Sequence, residues 1–135
     1  MIQRIQTLYM LVAGLLAILY ASAIPLWYGA EGMFKALDNP VYAFLGAMVG
    51  AMLVANVFNY KKRKLQVVLN RIALVIMLLA AGFMIWEYVS LIASQQALSP
   101  SFGLVLPLVV IVLIVMANKG IIKDEELVKS ADRFR

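Results

Sequence analysis

The sequence predicts an all-α fold: an integral membrane protein with four transmembrane helices, both termini cytoplasmic, and a short amphipathic C-terminal cytoplasmic helix. Three observations predict it. Of the 135 residues, 64% are hydrophobic and 14% charged, where a soluble globular domain carries roughly 45–50% and about 25%. Four apolar stretches are each long enough to cross a bilayer, which takes about 20 residues. The basic residues gather at one set of span ends. A single membrane domain over residues 1 to 135, with 119 to 135 as its tail, takes up the whole chain.

The first span is placed at residues 7 to 29, from Thr7 through Leu11, Leu15, Leu16 and Ile18 to Trp27, with Pro25 able to kink or close its far end. Arg4, the apolar run and Ala21-Ser22-Ala23 imitate a secretory signal and its cleavage site. The apolar stretch continues through Ile24, Leu26 and Trp27, however, which makes it long enough to span. The second span, residues 40 to 60, opens at Asn39-Pro40; Asn can cap the exposed amides and Pro suits the first helical turn. The basic turn Lys61, Lys62, Arg63, Lys64 separates it from the third and longest span, residues 65 to 92, so these two should form a tight antiparallel hairpin. The fourth span, residues 100 to 118, opens on the similar pair Ser99-Pro100. Pro107 inside it cannot donate to the Gly103 carbonyl, which predicts a kink.

In the tail, Leu127, Val128, Ala131 and Phe134 share one helical face that can lie on a membrane or dock on a partner. Glu125 and Lys129 form an i,i+4 pair, and Asp124, Glu125 and Glu126 can oppose the basic turn.

Orientation follows from the Lys and Arg, which are retained on the cytoplasmic side near span ends. With the N-terminus inside, all 12 basic residues except Lys35 fall on that side. Trp27, Tyr28, Tyr42, Trp86 and Tyr88 land together at the outer interface, where amphipathic rings favour the headgroup level. Both termini are therefore expected on the cytoplasmic side.

The composition removes whole classes of chemistry. With 0 Cys and 0 His there is no disulfide, Fe–S cluster or thiolate zinc site, and the commonest general base and metal ligand are missing. No enzyme activity, cofactor or nucleic-acid partner is expected. Ala43, Ala47, Ala51 and Ala55, flanked by Gly46 and Gly50, leave one side of the second span almost without bulk. Such faces let membrane helices approach closely, here either span one, which repeats the pattern at Ala13, Ala17 and Ala21, or a second copy or another subunit. Glu87 is the one acid inside a span, and intramembrane carboxylates are costly enough to mark candidate coupling groups. Arg71 should snorkel. Asn56, Asn59 and Asn70 can cross-link helices. Met10, Met48, Met52, Met77, Met84 and Met116 read as apolar filler. Lys61 to Lys64 form a candidate contact for anionic lipid headgroups.

The opening Met1-Ile2-Gln3-Arg4-Ile5-Gln6-Thr7-Leu8-Tyr9, the turn Tyr60 to Gln66, Leu106-Pro107, and the ending Lys123-Asp124-Glu125 through Asp132-Arg133-Phe134-Arg135 resemble the bacterial inner-membrane family catalogued as domain of unknown function 4293. The resemblance covers the whole chain in matching order and implies a small four-helix membrane protein of Gram-negative bacteria with no assigned activity. Asn70 departs from it, standing where the resemblance leads one to expect an apolar residue or Cys. The positions that carry the likeness share the expected cytoplasmic face, which implies a docking site there. Its candidates are Arg4, Lys123, Asp124, Glu125, Lys129, Asp132, Arg133, Phe134 and Arg135. The leading expectation is therefore an accessory or scaffold subunit bound to a membrane-protein partner. The alternative is a small oligomeric transporter or channel using Glu87.

Overall fold

The computed structural model describes residues 2–30, 32–95 and 97–133, the first three of these by backbone alone. Glu31, Phe134, Arg135 and the Arg4 side chain lie outside the described residues. Four helices form the bundle: α1 (Ile2–Ser22), α2 (Pro40–Asn56), α3 (Arg63–Ala93) and α4 (Leu106–Arg133). All four are long and apolar enough to cross a membrane. α1 packs against α2 and α4, and α3 packs against the same two, so α1 and α3 stand diagonally opposed.

The expectation of an all-helical chain needs one correction. Between α1 and α2 run β1 (Pro25–Gly29) and β2 (Gly32–Lys35), and before α4 comes β3 (Ser99–Pro100). They form a three-stranded antiparallel sheet with β1 in the centre. The first span thus ends at Ser22 rather than continuing to residue 29, and Pro25 starts a strand. α1 instead starts earlier than expected, at Ile2, and holds 21 residues. Gly32 opens β2 at a φ of +115°, a region that Gly enters without steric cost.

Asn39 caps α2 as expected, its Oδ1 accepting from the Val41 amide at 3.0 Å, with Pro40 in the first turn. The similar pair Ser99-Pro100 does not start α4: Pro100 pairs with Trp27 in the sheet. α4 begins at Leu106, which places Pro107 in its first turn. A first-turn residue has no i−4 carbonyl to serve, so this proline removes no helical bond and produces no kink. At the far end α4 runs unbroken to Arg133. The tail expected as a separate short helix is the last part of this one.

The core holds small and flexible residues where the helices cross. Ala13, Ala17 and Ala21 of α1 are all buried, as are Val49 and Leu53 of α2, Ala73, Met77, Ala80 and Met84 of α3, and Val110 and Ile114 of α4. The α1–α2 crossing depends on glycine. A Cβ on Gly50 would lie 2.5 Å from Ile18 Cγ1 and 3.0 Å from the Gly14 carbonyl oxygen, so two backbones touch and supply the dispersion energy that lipid does not. Spans one and two do pack together, with Ala21 of α1 against Gly46, but not through the alanines of α2. Ala43 is half-buried and Ala47, Ala51 and Ala55 are exposed, whereas Gly46 and Gly50 carry the contact. A four-residue repeat advances 400°, so the alanines drift around the helix. They finish on the side away from α1.

Candidate functional site

Side chains from all four helices meet in a buried amide cluster at the end of the bundle that carries the N-terminus of α1. Asn56 Nδ2 donates to Asn70 Oδ1 and to the Gln66 carbonyl, both at 2.8 Å. Asn70 Nδ2 donates to Asn118 Oδ1 at 2.9 Å. Gln66 Nε2 returns to the Asn56 carbonyl at 3.2 Å and to Met10 Sδ at 3.6 Å, and Asn59 Nδ2 donates to Asn56 Oδ1 at 3.1 Å. The local reason is plain: Asn56 ends α2, where backbone carbonyls lack helical donors, and the Gln66 amide supplies one. Asn56, Gln66, Asn70 and Asn118 are all buried. Met10, Val67, Ala117 and Ile121 form a small apolar cluster of their own at the same end.

Gln6 of α1 is buried under Gly120, and its Nε2 has no hydrogen-bond partner among the described residues. With Thr7, Tyr60, Arg63 and Gln66 it bounds a void of about 10 Å³, close to the least that holds one water. Tyr60 and Arg63 are also walls of a far larger groove of about 800 Å³, shared with Lys61, Lys62, Lys64, Leu65, Glu125, Val128 and Lys129. The structure therefore unites the basic turn with part of the α4 extension. Arg63 pairs with Asp124 at 3.4 Å and Lys129 with Glu125 at 3.6 Å. Lys61, Lys62 and Lys64 have no ion pair among the described residues, so the groove keeps three uncompensated ammonium groups. An anion is its complement.

The opposite end carries the sheet. Trp27 stacks on Phe34 with centroids 4.6 Å apart and meets Tyr88 at 5.6 Å, which seats β1 on α3. Beside it opens a cleft of about 840 Å³ whose walls include Trp27, Phe34, Asp38 and Glu87. Glu87 is half-buried, and its Oε2 accepts from the Tyr42 hydroxyl, which lies 3.3 Å from the Phe83 carbonyl. Asp38 Oδ2 accepts from the Lys35 amide at 2.8 Å. Both carboxylates thus have protein donors. The aromatic residues assigned to one interface by sequence do cluster at this end.

The family described as Domain of unknown function (DUF4293) matches residues 2–134. The chain belongs to this family. Comparison with curated proteins finds no match, and comparison with solved structures finds none either.

Within the family framework, two of the segments that carry the sequence likeness, Tyr60 to Gln66 and the region after Lys123, are neighbours in space. Asp132 and Arg133 lie further along the exposed end of α4, away from the groove walls, and Lys123 is exposed more than two turns before them. Asn70, the position that departs from the resemblance, is fully buried and central to the amide cluster. Gln6, Gln66 and Asn118 escaped the sequence reading because they stand near charged span ends, where amides look solvated. Their signal was the four-helix register, which places them level with Asn56 and Asn70.

Proposed function

We propose that the chain is a non-enzymatic accessory or scaffold subunit of a membrane complex. It sits in a bacterial inner membrane with both termini cytoplasmic and docks its partner through the end of α4 beside the basic turn. One observation carries the reading. Ile121 is the last buried residue of α4, and from Ile122 the same helix continues to Arg133 with Leu127 and Val128 exposed. A helix that leaves the bundle in continuity with a packed one needs no new nucleus, and it offers an apolar stripe between charged residues. The Arg63–Asp124 pair holds its base against α3.

The transporter reading draws on Glu87 but has no polar route to work with. Between Glu87 and the amide cluster, α3 presents Ala73, Met77, Ala80 and Met84 inward, and Val49, Leu53 and Ile114 fill the space around them. That apolar plug weighs against conduction through one copy.

The test is mild-detergent purification of N-terminally tagged protein from its native host, followed by native mass spectrometry. Removal of residues 125 to 135 leaves Ile121 and Asp124 in place. It should abolish recovery of a stoichiometric partner while membrane fractionation stays unchanged. Unchanged recovery would remove the extension from the docking role. A clean homo-oligomer would overturn the accessory reading and direct attention to flux through a Glu87→Gln variant.

A further inference from the structure

We infer that the groove between the basic turn and α4 seats the headgroup of one anionic phospholipid, with Lys61, Lys62, Lys64 and Arg63 facing its phosphate and the Gln6 amide donating to an oxygen behind Arg63. The inference rests on the membrane reading and shares Glu125, Val128 and Lys129 with the docking surface, but it is carried by the basic turn and Gln6 on the opposite wall, which the removal of residues 125 to 135 leaves in place.

Three features point to this occupant. The first is charge: three ammonium groups without ion pairs among the described residues share one concavity with the Arg63 guanidinium, which pairs with Asp124. The second is the Gln6 nitrogen, unpartnered among the described residues, in a side chain that is only 6% exposed and lines a void whose other walls include Tyr60 and Arg63, which also belong to the groove. A buried donor left empty costs free energy, and a void of about 10 Å³ admits one oxygen atom, whether of a bridging water or of the headgroup. The third is an apolar path. Leu65 lines the groove, and exposed Val68 and Ile72 follow it on α3 at i+3 and i+7, one face of the helix, along which an acyl chain can lie. A free phosphate would use the first two features and leave the third idle. An acidic peptide would use the charges and leave the apolar path along α3 idle.

The experiment uses the full chain in mild detergent and counts bound lipid by native mass spectrometry during titration with phosphatidylglycerol, with phosphatidylcholine of the same chains, and with inorganic phosphate. One phosphatidylglycerol per chain should bind, with phosphatidylcholine and excess inorganic phosphate failing to displace it. The Lys61→Gln/Lys62→Gln/Lys64→Gln variant, altered only on the surface, should lose about five-fold in affinity per lysine, on the order of 100-fold in all. Gln6→Leu should lose several-fold in phosphatidylglycerol affinity with helicity unchanged. Equal retention of the two lipids, an unaffected triple variant, displacement by inorganic phosphate, or an acidic protein that excludes phosphatidylglycerol from the groove would each overturn the site. Unchanged affinity in Gln6→Leu would overturn the part assigned to Gln6. Membrane fractionation is read in parallel, because its loss overturns the spanning reading, whereas the lipid results bear on the groove alone.

Discussion

Replacing Asn70 by Ala should be the most costly single change in the amide cluster. Asn70 accepts from Asn56 and donates to Asn118, so its removal breaks two buried side-chain bonds and leaves the Asn118 Oδ1 without this donor. Hydrogen bonds between membrane helices are worth about 0.6 kcal/mol on average and up to about 1.7, which gives roughly 1–3 kcal/mol for the two. The site is fully buried, so the lost amide group also leaves a cavity, at about 1 kcal/mol for a few tens of Å³. The expected total is about 2–4 kcal/mol. Asn59→Ala is the internal control. It removes one bond from a half-buried residue and should cost about 0.5–1 kcal/mol. The assay is reversible unfolding in mixed micelles, with helicity followed by circular dichroism. If the two variants lie within about 0.5 kcal/mol of each other, the cluster does not act as the four-helix tie described, and the argument built on its burial fails.

Gly50→Leu should destabilise the chain by at least the 1–3 kcal/mol typical of overpacking, because even a Cβ meets Ile18 and the Gly14 carbonyl. Ala51→Leu, on the exposed side of α2, should stay within about 0.5 kcal/mol; thermal melts of both in detergent decide between the glycine and alanine faces. Arg63→Gln should cost no more than about 1 kcal/mol, as for a partly exposed ion pair, and wild type and variant should converge as salt is raised. Tyr42→Phe should cost about 1–3 kcal/mol through the lost bond to the Glu87 carboxylate, and little of that cost should remain in a Glu87→Gln background, measured as a double-mutant cycle. The chain has 0 Cys, so single cysteines at exposed Met33 and Ser130 can be labelled with an impermeant maleimide in intact cells. Met33→Cys should react and Ser130→Cys should not; the reverse pattern would invert the proposed orientation.

The four helices were legible because 20-residue apolar runs and interrupting charges require little context. Which side of each helix faces inward was not. In water, periodic polarity marks the outer face, but lipid is as apolar as a core, so Ala47 and Ala51 could not be told from Gly46 and Gly50 by hydropathy. The Pro signals show the limit of local reading. Asn39-Pro40 and Ser99-Pro100 look alike, yet Asn39 caps a helix, whereas Ser99 and Pro100 are held as the third strand by Tyr28 and Trp27. That partner is set by tertiary contact. Asn56, Asn59 and Asn70 were legible as cross-links because amides are rare in apolar spans. Gln6, Gln66 and Asn118 were not, since nothing local distinguishes a buried amide from a wet one beside a basic turn. The union of Lys61 to Lys64 with α4 was half legible: opposite charges foretold the Arg63–Asp124 pair, but not that an unbroken helix would deliver it.

The sheet also sets an order of assembly during synthesis. β1 can pair with β2 as soon as both are made, but its other edge waits for Ser99 and Pro100. At roughly 5–20 residues per second, the ribosome needs about 4–15 s to travel from Trp27 to Pro100. Throughout that interval the Tyr28 edge has open backbone donors and acceptors, and the seat for Gly103 against Pro25 and Leu26 is vacant. The loop between the third and fourth helices is therefore a latch that closes only once the third helix is complete, and a nascent chain stalled before it would present an unpaired strand to its neighbours.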